Sequence, residues 1–400
     1  MKRLFKPFHE LHDKDGLNIK ALLMMYIAGH FVIAGRVGGA EQMFYNLLDG
    51  FKTNRTSFIV LCSDLKDFNP AFLKQLNAAG TPIVANNVRQ KRFIAEQISC
   101  LMAKTPAEAI LFPNYFTPPF VPRRLGRVAT VIHDFLFAER WSVMSRKRRE
   151  WQRISYRYTY ARADVVIVPS AFVRERAFEL YGRLARYKTA TIPNPISWER
   201  FERASDRHPF EGRPYILTVA AHYPHKNLVV LVRAFARLQK RFSDLLLVLP
   251  GQKPTNLFGI ADRTDHVGNL IAELELQSNV LTTGYLEDTD LGTLYRHATV
   301  FAFPSLFEGF GMPAVEAMGL GLPTLTTRRT SLPEVTMDAA FYVNDPMNVD
   351  EWVDTLTYLL TNSNSCRPEK AVIAKIQQHY SPKRIAALYQ QAMLGTTVDN

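Results

Sequence analysis

The chain has 400 residues and a formal net charge of +12, with 47% hydrophobic and 22% charged residues. At about 100–200 residues per domain the length implies two domains, and the composition excludes a disordered or low-complexity chain. Its three cysteines, Cys62, Cys100 and Cys366, are widely spaced and form no Cys-x-x-Cys or Cys/His cluster, which argues against a disulfide scaffold or zinc site and for a reducing compartment.

Near the start, Ala21–Gly35 is largely apolar behind Lys2, Arg3 and Lys6. It contains His30, is shorter than the roughly 20 residues that span a bilayer, and runs into a glycine turn without a small-residue cleavage site. It reads as a buried first strand and its loop, not as a signal peptide or anchor. Gly38-Gly39-Ala40-Glu41 then opens a helix over Glu41–Phe51. Strands are expected at Ser57–Cys62, Pro82–Ala85, Ala109–Phe112, Ala129–Ile132 and Val165–Val168, with a helix over Ala171–Tyr181. Arg123, Arg124 and Arg127 are followed by Arg140, Arg146, Lys147, Arg148, Arg149, Arg153 and Arg157, with Trp141 and Trp151 among them. This basic, aromatic-bearing helical stretch suits an anionic lipid surface.

A boundary is expected after Pro193-Asn194-Pro195, because Ser197–Pro214 is charged and without periodicity. Beyond it, strands are expected at Tyr215–Val219, Leu245–Pro250, Val280–Thr283, Val300–Phe303 and Pro323–Thr326. Helices fit Leu228–Phe242, Asp288–Ala298 and Ala314–Met318. The division is a first domain over 1–200, a second over 201–378, and a terminal segment over 379–400. That segment's amphipathic helix, Pro382–Leu394, is a candidate to pack back on the first domain. Strand–helix alternation throughout implies an α/β fold with parallel sheets built from βαβ units.

The chemistry concentrates after the strand Val300–Phe303, in Glu308-Gly309-Phe310-Gly311-Met312-Pro313-Ala314-Val315-Glu316. A glycine loop leads into a helix whose start is marked by Pro313. Free N–H groups and roughly half a positive charge at a helix N-terminus bind phosphate, and glycines let the backbone approach it. Glu308 is placed to accept hydrogen bonds from sugar hydroxyls. Glu316, read as lying in the first helical turn, is placed to hold both ribose hydroxyls, since a carboxylate is acceptor-only with two oxygens. Taken singly, the glutamate is an ordinary first-turn carboxylate and the glycines an ordinary loop; the combination is specific.

Glu308 and Glu316, seven residues apart, match the E-x7-E motif, and the run from Phe303 to Met318 with Ser331-Leu332-Pro333-Glu334-Val335 resembles family 4 of the retaining glycosyltransferases over nearly the whole chain. The resemblance implies a GT-B fold, two Rossmann-like domains facing across a cleft, with the nucleotide sugar on the second domain and the acceptor on the first. It makes Lys226, in Pro224-His225-Lys226-Asn227, the lysine that binds the donor pyrophosphate. Many relatives carry an arginine where this chain has Ala221; His222 and Arg328 are candidates to compensate. It places His133, followed by Asp134, toward the donor sugar, and Gly38 and Gly39 in the first-domain glycine loop. Gly284, Tyr285 and Leu286 hold the nucleotide base, and Gly309, Phe310, Gly311 and Met312 line the donor. Asp288-Thr289-Asp290 resembles a metal motif of another fold, but before Leu291–Ala298 an Asp reads better as a helix N-cap. The expectation is therefore a metal-independent, retaining hexosyltransferase without cofactor. Its donor leans to GDP-mannose, its acceptor is a saccharide or lipid-linked sugar, it binds no nucleic acid, and it lies in the cytoplasm or on the inner face of the membrane. A same-fold epimerase or pyridoxal-dependent phosphorylase, and a non-catalytic basic binding protein, stay open; a nicotinamide dehydrogenase is disfavoured because no strand-linked GxGxxG appears.

Overall fold

The computed structural model describes residues 24–32, 38–62, 64–68, 73, 81, 83–85, 107–114, 117, 126–139, 142, 144–253 and 264–396. Arg123, Arg124, Arg140 and Trp141 of the basic stretch, and Cys100, lie outside the described residues.

Among the described residues, two wholly parallel sheets form the frame. The first has seven strands: β1 (Met25–Ala28), β2 (Phe58–Cys62), β3 (Ile83–Ala85), β4 (Ala109–Phe112), β5 (Arg127–Val131), β6 (Val165–Val168) and β7 (Thr189–Thr191), in the order β3-β2-β1-β4-β5-β6-β7. The second has six: β8 (Tyr215–Leu217), β9 (Leu246–Pro250), β10 (Val280–Gly284), β11 (Val300–Phe303), β12 (Thr324–Thr327) and β13 (Phe341–Val343), in the order β10-β9-β8-β11-β12-β13. Both repeat the doubly wound dinucleotide-type order, in which direction reverses beside the first strand of the sheet. Met25-Tyr-Ile-Ala28 and Val300-Phe-Ala-Phe303 are buried at every position. Helices cover both faces of a parallel sheet, so its strands read as unbroken apolar runs rather than alternating ones.

The described helices are α1 (Gly39–Thr53), α2 (Arg146–Arg162), α3 (Ala171–Tyr181) and α4 (Arg183–Lys188) in the first half. In the second half they are α5 (Leu228–Leu238), α6 (His266–Glu273), α7 (Asp288–His297), α8 (Met312–Gly319), α9 (Leu332–Val335), α10 (Val349–Thr361), α11 (Lys370–His379) and α12 (Pro382–Leu394). Helix α5 stops four residues short of the expected Phe242. At Lys240 and Arg241 the backbone bonds tighten to the residue three back, and Phe242 folds in against the second-domain core.

The chain crosses back at its end. Helix α12 lies on α1: Asn54 Nδ2 donates to the Lys383 carbonyl at 2.9 Å, and Arg127 Nε donates to the Met393 carbonyl at 3.1 Å. Ile385, Ala386, Tyr389 and Met393 share one apolar cluster with Met43, Phe44 and Leu47 of α1. The same cluster takes in Phe310, Met312, Val315 and Met318, so the segment carrying the glycine loop is packed against both domains.

Candidate active site

In open α/β sheets ligands bind beyond the carboxyl ends of the strands where the order reverses. In the second sheet that point lies between β8 and β11. A short 3₁₀ turn, Pro224–Lys226, follows β8, and the loop 304–311 follows β11. The Leu306 N–H donates to the His225 carbonyl at 2.8 Å and ties the two segments together. Lys226 Nζ consequently lies 2.6 Å from Glu308 Oε1, with both side chains largely out of solvent and the ammonium 5.6 Å from the centre of the Phe303 ring.

Two glycines of the loop are dictated by geometry. A Cβ on Gly309 would sit 2.0 Å from the backbone oxygen of His133, so only glycine lets the second domain approach the first here. Gly311 has φ +94° and is the N-cap of α8. Ser331 Oγ lies within hydrogen-bonding distance of the carbonyls of both Glu308 (3.1 Å) and Phe310 (3.0 Å), and the Glu308 N–H donates to Thr330 Oγ1 at 3.1 Å. The Ser-Leu-Pro-Glu-Val motif thus braces the loop from behind.

Helix α8 begins at Met312, two residues earlier than expected, so Glu316 is its fifth residue and not in the first turn. The helix terminus therefore does not hold this carboxylate. Arg200 Nη1 donates to Glu316 Oε1 at 3.1 Å and the Tyr295 hydroxyl donates to Oε2 at 3.0 Å. Burial pushes the Glu316 carboxyl up, and the Arg200 guanidinium works against that shift. Arg200 also donates from Nε to Asp288 Oδ1 at 3.0 Å. Asp288 is accordingly not the N-cap of α7, a position taken by Glu287, but an ion-pair partner. Arg200 comes from the segment the sequence presents as a charged linker, and no local signal there marks it.

From the first domain, His133 and Asp134 follow β5 and reach the same point. His133 Nε2 donates to the Pro113 carbonyl at 2.9 Å, and burial lowers its pKa to about 4. The ring is neutral near pH 7, which leaves hydrogen bonding and removes a role as a cation. Asp134 Oδ1 accepts from the Leu136 N–H at 2.9 Å, the turn-capping reading. It also feels the charges of Glu308 and Lys226, while burial raises its carboxyl above the ordinary range. Gly38 is the N-cap of α1, and its N–H donates to Glu41 Oε2 at 3.0 Å. Among the described residues, nothing lies within 4 Å of where a Cβ on Gly39 would be.

At the end of β10 the Gly284 carbonyl accepts from the Gly251 N–H at 2.8 Å, and Leu286 packs on the second-domain core. Tyr285 is half-exposed; burial, with Glu287 and Asp288 nearby, pushes its hydroxyl up to about 12. Arg328 pairs with Asp338 at 3.3 Å and stacks 4.3 Å over the Tyr342 ring, which engages it elsewhere. His222 is buried beside Ala221 with neither ring nitrogen hydrogen-bonded.

The domains are also clasped at the cleft's edge. Ser170 Oγ donates to the Gly309 carbonyl at 2.7 Å, and Glu334 of α9 accepts from the N–H groups of Ala171 (2.7 Å) and Phe172 (3.3 Å) at the start of α3. A carboxylate at a helix N-terminus is favourable, so Glu334 caps a helix of the other domain. Glu334→Ala is expected to lower unfolding stability by about 1 kcal/mol in urea titrations. Glu334→Gln, which keeps acceptor oxygen but not charge, is expected to lose less.

Two doubly wound domains packed on each other, with a lysine–glutamate pair at the switch point of the second sheet, define the class: a GT-B fold. Residues 200–375 match the family described as "Glycosyl transferases group 1", and residues 37–200 match "Glycosyltransferase Family 4". The chain belongs to this family of glycosyltransferases. It is 28% identical over 248 residues to O-antigen chain mannosyltransferase B of Escherichia coli, a match covering 60% of this chain and 61% of that one. It is 31% identical over 205 residues to serotype-specific mannosyltransferase WbdA of Escherichia coli, over 48% of this chain and 24% of the relative. The chain therefore spans less than two thirds of the length of either. Among solved structures, Anabaena HepE in complex with UDP and glucose superimposes with a TM-score of 0.70 at 17% identity, over 93% of this chain and 100% of that one. Sucrose-phosphate synthase from Thermosynechococcus elongatus gives 0.72 at 16%, over 93% of this chain and 100% of that one. At those identities the likeness is one of fold.

Proposed function

We propose that the chain transfers a hexose, with mannose from GDP-mannose as the specific reading, to a saccharide or lipid-linked acceptor in surface polysaccharide or glycolipid synthesis, with retention of anomeric configuration. The observation that carries this is the Lys226–Glu308 pair, 2.6 Å apart at the switch point of the second sheet. Lys226 and the loop 309–312 receive the diphosphate. Glu308 turns to the hydroxyls of the transferred sugar, Glu316 to the ribose, and the backbone of 284–286 to the base. His133 offers a neutral hydrogen-bonding ring to the sugar, and the Gly38-Gly39 loop lets the donor's phosphate or sugar, or the acceptor, approach the backbone. The mannosyltransferase names of the relatives favour mannose.

In the reaction the acceptor oxygen bonds to the anomeric carbon on the face from which the diphosphate departs. The carbon–oxygen bond to phosphate breaks, and the acceptor's proton passes to the leaving diphosphate oxygen. Positive charge placed where negative charge grows lowers the barrier, and Lys226 supplies it in a site largely closed to water. The proposal assigns no metal and no cofactor to the step.

A thermal-shift panel of GDP, UDP, ADP and dTDP sugars tests the reading. A ligand at a hundredfold excess over its Kd stabilises by roughly 2.7 kcal/mol, and GDP-mannose is expected to give the largest rise. A larger rise with a UDP sugar overturns the donor assignment, and no rise with any nucleotide sugar overturns the function.

A further inference from the structure

Helix α2 carries seven basic side chains against one acidic in 17 residues, half the chain's net charge of +12. Its inner face is fixed by Gln152, Tyr156, Thr159 and Tyr160, all buried. Its outer face does something a solvated helix does not: Trp151 is 54% exposed, Ile154 68% and Tyr158 37%. At spacings of three and four these form one stripe along the helix. Helix α4 packs beside it and adds Leu184 at 42% and Tyr187 at 77%. Five of the eight large exposed hydrophobics among the described residues thus sit on two adjoining helices. Around them stand exposed Arg153, Arg157, Arg183 and Arg186.

We infer that the outer face of α2 and α4 is a docking surface for an anionic lipid bilayer. An apolar stripe with a tryptophan, edged by arginines, inserts its side chains below the headgroups while the guanidinium groups meet lipid phosphates. The charge argues against a second copy of the chain as occupant, because a two-fold contact would set one cationic helix on another. Ile154 and Leu184 argue against nucleic acid, which binds through charged grooves and planar stacking platforms rather than aliphatic side chains.

The placement has a consequence for access. Arg148, in the first turn of α2, acts electrostatically on the Tyr223 hydroxyl, and Tyr223 stacks on His225 beside Lys226. Docking by this face would put the chain on the surface that carries a lipid-linked acceptor. That consequence rests on the transfer reading; the docking does not.

The test is co-sedimentation of the full chain, without donor or acceptor, with vesicles of phosphatidylcholine alone and with about one third phosphatidylglycerol. The chain is expected to pellet with the anionic vesicles only, and less so as salt rises. R153Q/R157Q is expected to weaken binding by roughly thirtyfold, and W151A/I154A by at least about tenfold. All these side chains are exposed, and circular dichroism confirms the fold of each variant. Failure to pellet with anionic vesicles, or parental binding by both variants, overturns the inference. So does a patch-dependent dimer in sedimentation velocity, or patch-dependent binding of an RNA oligomer, without vesicle binding. None of these outcomes touches the transfer reading, which is assayed with a water-soluble acceptor.

Discussion

Lys226→Met is expected to lower the transfer rate by about a thousandfold and leave the secondary structure unchanged. Loss of a single group that meets developing negative charge costs roughly 10²–10³ in rate. Lys226 belongs at the upper end, because its ammonium is largely buried and already aimed at the switch point. Methionine keeps the length and apolar bulk of the stem, so packing against Phe303 survives. What changes is charge: Glu308 loses its counter-ion and stays beside Asp134, whose carboxyl is already raised by burial. K226M/E308Q removes that residual repulsion. It is expected to regain stability over K226M without regaining activity, a separation that steady-state rates and urea unfolding measure on the same preparations. Turnover near the parental rate in K226M or in E308Q would remove the lysine–glutamate pair from the mechanism.

Arg200→Ala is expected to be the most damaging single change to stability. Removing one partner of a buried ion pair costs about 3–5 kcal/mol, because the other charge is left without compensation. Arg200 is one of the two groups bonded to Glu316 and also holds Asp288. The pH dependence has a definite sign. Burial raises the Glu316 carboxyl above its unfolded value and Arg200 opposes this, so without Arg200 the carboxyl rises further. A carboxyl raised in the folded state binds more protons there than when unfolded, so stability falls as pH rises through that window. The deficit of R200A is therefore expected to be largest at neutral and alkaline pH and to narrow on acidification. R200A/E316Q is expected to be more stable than R200A at pH 7.5. Equal urea midpoints for R200A and the parent at that pH would show the pair to be idle.

The fold was legible because strands buried on both faces spell themselves out. Phe58–Cys62 and Val300–Phe303 are runs of apolar residues between polar turns, and the structure places both as sheet strands. The edge strands β7 and β13 were not legible: Thr189-Ala-Thr191 and Phe341-Tyr-Val343 are three residues long and only partly buried, with no run to read. The contact between Lys226 and Glu308, 82 residues apart, was not legible: the family motif assigned one to the pyrophosphate and the other to the transferred sugar, and only the fold brings them together. The surroundings of Glu316 were beyond reach for two reasons. Its register depended on a helix start one residue earlier than the proline implied. Its partner Arg200 lies 116 residues away in a stretch whose composition resembles a linker. Glu334 was visible as part of a motif, but its work as a cap on a helix of the other domain exists only once the two domains meet.

A crystal structure of the chain with GDP tests the central claim most directly. The account predicts the diphosphate within hydrogen-bonding distance of Lys226 Nζ and the amides of the loop 309–312, the ribose hydroxyls on Glu316, and the base against 284–286. A nucleotide bound at the switch point of the first sheet instead, with Lys226 still closed on Glu308, would contradict it.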